Sequence, residues 1–162
     1  MENNVLNKSV NDYVNSLEKV VEKRKLWNEF TLPLLLKTLT EIQNKFEIGW
    51  KVQQLDWLMN SNAVNITFQT FPKSLISTLN GSTDFEFVKG ASLVFSQKYN
   101  GDISVFIIYP EVLEPLPEGE LNEIGSFNPN EFNENFITNK VALFLDKIIV
   151  REENLLKRKV GF

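Results

Sequence analysis

From Leu6 onward the apolar residues Val10, Tyr13, Val14, Leu17, Val20, Val21 and Trp27 return at steps of three or four, the spacing that gathers side chains on one face of a helix. Leu35, Leu36, Leu39, Ile42 and Phe46 resume that period after Pro33. Proline lacks an amide hydrogen and crowds the carbonyl four residues back. The pattern therefore predicts a helical region over residues 5–46, broken at Pro33, with Thr31 capping the second helix.

At residue 48 the period drops to two. In IGWKVQQLDWL both alternating sets carry bulky groups, Trp50 and Val52 in one, Leu55 and Trp57 in the other, as expected of a strand partly covered on each side. NAVNITFQTF alternates more cleanly, with Val64, Ile66 and Phe68 opposite Asn65, Thr67 and Gln69, and forms a hairpin with the first strand. A short helix follows near Pro72. DFEFV, ASLVFSQKY and DISVFIIYP read as further strands, the last two joined by a two-residue type I′ turn at Asn100 and Gly101. Connections this short suit antiparallel pairing and leave no room for βαβ crossovers.

The segment over residues 131–158 returns to helical spacing through Phe132, Phe136, Ile137, Val141, Phe144 and Ile148. Asn130 is its expected cap, with acids in the first turn and Lys157, Arg158 and Lys159 in the last, both favourable to the helix dipole. The expected fold is α+β, one domain over residues 1–162. A single antiparallel sheet of four to five strands over residues 48–109 has the long N-terminal helices and the long C-terminal helix packed on one face.

The inventory of reactive side chains narrows the chemistry. With no histidine and no cysteine, thiolate or imidazole metal sites, cysteine nucleophiles and Ser-His-Asp catalysis are excluded. The isolated glycines match no phosphate-binding pattern, and no calcium-loop pattern is present. No catalytic residue, metal ligand or cofactor is assigned. The start shows no basic n-region before an apolar run, and the apolar runs are far shorter than a membrane span. A cytoplasmic protein, not membrane-bound, is expected.

Charge is unevenly spread. The net charge is -4, yet residues 99–139 hold eight acids and no base, while the rest carries seventeen bases against thirteen acids. No arginine strip interleaved with aromatics appears, so nucleic acid is not an expected partner. The acids concentrate in a proline-containing loop over residues 110–130, which includes Glu111, Glu114, Glu118, Glu120 and Glu123. Three prolines between residues 110 and 123 stiffen it and so lower the entropy lost on binding.

Two functional readings remain open. In the first, the protein is a non-catalytic interaction protein, an inhibitor, immunity-type factor or adaptor. Its acidic loop would steer a partner with a basic surface, and Trp50 or Trp57 would anchor it. In the second, it binds a small molecule, or acts as a small enzyme, through an apolar pocket between sheet and helices, with a shielded glutamate or Tyr109 as the polar group. A homodimer through the long terminal helices is compatible with either.

Overall fold

The computed structural model describes residues 3–58, 61–76, 88–110 and 122–159. Helix α1 (Asn3–Leu26) runs through a π-helical turn (Trp27–Thr31) into α2 (Leu32–Lys45). Strands β1 (Trp50–Leu58) and β2 (Ser61–Phe68) are followed by the single turn α3 (Lys73–Ile76), then β3 (Ser92–Gln97), β4 (Ile103–Ile108) and β5 (Asn122–Phe127). A 3₁₀ turn (Pro129–Glu131) leads into α4 (Glu134–Lys159).

The strands lie in sequence order, each antiparallel to the next. Register places Val52, Ile66, Leu93 and Ile107 in one cross-strand row and Gln54, Val64, Phe95 and Val105 in the next. These rows face Leu35 and Leu39 of α2 and Ile137, Val141 and Phe144 of α4, and together they make the core. The α+β arrangement expected from the sequence is therefore present, with the helical covering supplied by α2 and α4.

Several local expectations are corrected. The helix does not break at Pro33. In an α-turn its ring would meet the carbonyl of Glu29, but the chain widens instead, and the Leu32 N–H donates to Trp27 O, five residues back. That wider turn gives the ring room while keeping the axis helical. Thr31 is helical and makes no side-chain cap.

The cap of α4 is Asn133, whose Oδ1 accepts from the Phe136 N–H at 2.8 Å. Asn130 lies one turn earlier, inside a 3₁₀ turn closed by a capping box between Asn128 and Glu131. Two asparagines compete for the role, and Phe132 decides it: its buried ring packs on Phe95 at 6.1 Å between centroids, which needs an extended residue before the helix begins.

The β3–β4 turn is the three-residue form. Lys98 N–H donates to Asp102 O, Gly101 N–H donates to Lys98 O, and Gly101 sits at φ 91°. Asn100 does not take a central position of a type I′ turn, because its side chain bridges to Asp102, accepting from the backbone N–H at 3.0 Å.

Residues 122–127, expected within the acidic loop, form β5. Only Ile124 and Phe127 are apolar there, three apart, and the pairing with β4 shifts register between Val105 and Phe106, so no period of two survives in the sequence. Gly125 leaves space that the Phe127 ring folds into. A β-carbon at Gly125 would stand 2.8 Å from Phe127 Cζ. The expected strand DFEFV lies outside the described residues apart from Val88, which is in a turn.

Candidate functional site

Helix α1 is seated by its C-terminal end alone. Lys23 Nζ pairs with Asp102 Oδ1 at 2.9 Å, and Arg24 Nη1 donates to Tyr99 O at 3.1 Å. The glycine of the β3–β4 turn lets the helix come close: a β-carbon on Gly101 would stand 2.4 Å from Lys23 Cβ and 3.3 Å from Val20 O. The same end of α1 touches the 3₁₀ turn Pro129–Glu131. At Trp27 the chain enters the core, where the indole is fully buried.

Beyond that seat the helix stands away from the body. Every residue from 3 to 19 is exposed, a projection of about 25 Å at 1.5 Å per residue. The apolar stripe read from the sequence is therefore uncovered among the described residues: Leu6, Tyr13 and Val21 are 61%, 64% and 64% exposed, and Val5, Val10, Val14 and Leu17 are also exposed. Lys8, Asp12, Glu18, Lys19 and Glu22 fall on the other half of the helix at 100° per residue. Among the described residues this is the most extensive run of large exposed apolar side chains.

The sequence predicted Trp50 and Trp57 as partner contacts. Trp50 is 7% exposed, stacks on Phe68 at 5.5 Å and donates from Nε1 to Phe46 O at 2.8 Å. It belongs to the core. Its edge, with Gln43, Gly49 and Phe71, borders an open cleft of about 400 Å³ whose rim carries an exposed Lys73–Glu47 pair at 3.5 Å. The side chain of Trp57 and the residues Glu111, Glu114, Glu118 and Glu120 lie outside the described residues.

Glu123 is described. It stands exposed on β5, accepts from Ser104 Oγ at 3.3 Å and lies 3.9 Å from Lys98 Nζ. Tyr109 is buried beneath the Arg151 guanidinium, 4.4 Å from its ring centroid. Between sheet and helices, Trp27, Leu35, Leu39, Phe95 and Phe144 are fully buried and fill the layer. Among the described residues no group of three or more acidic side chains is placed to hold a metal ion. No described helix is long and apolar enough to cross a membrane.

No protein-family model, curated protein or solved structure matches this chain. The functional reading therefore rests on the geometry alone. The sequence contained the decisive signal, since the stripe in α1 is legible from its spacing, but the same spacing serves equally well for a helix packed on its own sheet. The sign that α1 differs is composition. Its body holds Asn3, Asn4, Asn7, Asn11 and Asn15 and five valines with no alanine, residues of low helix propensity.

Proposed function

We propose that this is a non-catalytic protein-interaction module, an inhibitor, immunity-type factor or adaptor acting in the cytoplasm, and that α1 is its anchor. The observation that carries the reading is the exposed apolar stripe on a helix of low intrinsic propensity. Helices in proteins draw most of their stability from packing an amphipathic face, and α1 is rich in asparagine and valine, which add little of their own. Burial against a partner supplies the missing stabilisation. The lack of histidine and cysteine supports the same reading, because it leaves few groups able to make or break bonds.

Charge adds a second element. The acids of residues 99–139 favour a partner with a basic surface and speed its approach, an effect that weakens with salt. Glu123 is already neighboured by Lys98, so steering falls mainly to Glu111, Glu114, Glu118 and Glu120.

Photocrosslinking in the producing cells tests the anchor. Benzoylphenylalanine in place of Tyr13 should yield covalent protein adducts, whereas the same group at Thr138, exposed on α4, should not. Absence of adducts at both positions removes the reading.

A further inference from the structure

We infer that the occupant of the α1 stripe is a second copy of this chain, paired antiparallel along α1. This rests on the interaction reading above and names the partner at that same surface. The six residues Leu6, Val10, Tyr13, Val14, Leu17 and Val21 are separated by gaps of 4, 3, 1, 3 and 4 residues. The spacing is symmetric about the midpoint between Tyr13 and Val14. A two-fold axis there sets Leu6 of one copy beside Val21 of the other, Val10 beside Leu17, and Tyr13 beside Val14.

Such self-complementarity is what an isologous interface requires, residue i meeting j as j meets i. A parallel pair would instead stack each side chain on its own copy, Tyr13 on Tyr13, and bring the two globular bodies to the same end. In the antiparallel pair they lie at opposite ends of a projection about 25 Å long, clear of each other.

Area and charge agree with a second copy. The six side chains expose on the order of 600 Å² per helix, close to the roughly 800 Å² per partner of a standard interface and at the upper limit of what a monomer leaves open. Tyr99, 88% exposed, stands beside Arg24 where the first residues of the second copy arrive, and extends the contact. The positions flanking the stripe are Ser9, Ser16 and Val20 on one side and Asn7, Asn11 and Glu18 on the other, and the two-fold sets Glu18 level with Ser9 of the second copy. No like charges meet across the seam, and the serines allow close approach.

A lipid surface fits less well. Over the projecting residues 3–22 the polar half of α1 carries Asp12, Glu18 and Glu22 against Lys8 and Lys19, and Lys23 and Arg24 beyond them are engaged by Asp102 and Tyr99, whereas helices that lie on anionic membranes are rich in free Lys and Arg there.

The natural chain has no cysteine, so single cysteines report the geometry directly. In the full-length protein Tyr13→Cys should oxidise to a disulfide-linked dimer, Leu6→Cys should not, and Leu6→Cys with Val21→Cys in one chain should. Light scattering over about 1–100 µM should give twice the chain mass. Val10→Glu with Leu17→Glu, which buries four carboxylates per dimer, should raise the dissociation constant at least about 1,000-fold. Tryptophan fluorescence should stay unchanged in that variant, since neither residue touches the core that holds Trp27 and Trp50. If its spectrum changes, the cysteine pairs decide alone.

A monomer across the whole range, or a Leu6→Cys chain that links faster than Tyr13→Cys, overturns the proposal. So does a dimer that survives both glutamates. A monomer whose position 13 crosslinks a different protein refutes self-pairing and leaves the interaction reading standing. A monomer that captures no protein but sediments with phosphatidylcholine–phosphatidylserine vesicles refutes both.

Discussion

The seat of α1 on the β3–β4 turn can be weighed by adding one carbon. Gly101 and Gly90 have nearly the same backbone angle, φ 91° and 92°, but different surroundings. Nothing lies within 4 Å of a β-carbon at Gly90, whereas at Gly101 it would be 2.4 Å from Lys23 Cβ. Gly90→Ala should therefore lose only the cost of a left-handed L residue, about 1–2 kcal/mol.

Gly101→Ala should lose the same amount plus the overlap with α1. Carbon atoms rest about 3.5–4.0 Å apart, so the helix must retreat by more than an ångström. Overpacking of that kind costs about 1–3 kcal/mol. The expected total is about 2–5 kcal/mol, with the excess over Gly90→Ala as the informative quantity.

Urea unfolding followed by tryptophan fluorescence measures both variants, and Trp27, at the base of α1, reports the joint. A Lys23→Gly change in the Gly101→Ala background removes the offending Cβ. Measured against Lys23→Gly alone, which already bears about 1 kcal/mol for glycine in a helix and the lost Lys23–Asp102 pair, the added Gly101→Ala should cost little more than Gly90→Ala does. Equal losses at Gly90 and Gly101 would show that α1 does not rest on the turn in solution, and the projection of the stripe would fall with it.

Other changes test the body. Thr38 is buried with its Oγ1 unpartnered among the described residues, so Thr38→Val, which keeps the shape, should raise stability by about 1 kcal/mol; a loss in thermal melting would mean a bound water or another partner satisfies the hydroxyl. On edge strand β1, Gln43 Oε1 accepts from the Val52 N–H at 2.7 Å, and Gln43→Ala should cost about 1 kcal/mol and speed hydrogen exchange at Val52 above that of Ile66. Phe144 is fully buried and stacks on Phe68 at 5.8 Å; Phe144→Ala should destabilise by about 3–5 kcal/mol in urea, and a loss below about 1 kcal/mol would place α4 off the sheet.

By itself the sequence determined the elements whose burial is periodic. Alternation in ISVFII follows one buried face, NAVNITF alternates apolar with polar residues although both its faces are buried, and the helical spacing over residues 134–148 follows another buried face, so strands β2 to β4, helix α4 and the α+β class were legible. Where periodicity fails, local reading failed with it. Strand β5 is short, bulged and holds a glycine that admits the Phe127 ring. Pro33 signals a break from next-neighbour sterics, yet a π turn absorbs the same clash.

Only the tertiary structure decided which amphipathic faces are used. The stripes of α1 and α2 look alike along the chain, and each satisfies the same spacing. Leu35 and Leu39 find Phe144 and the sheet, while Leu6, Val10 and Leu17 stay exposed among the described residues. The difference lies in direction: Gly101 and the Lys23–Asp102 pair fix where α1 leaves the body. Spacing along a helix says that a face is apolar, and long-range packing alone says what that face meets.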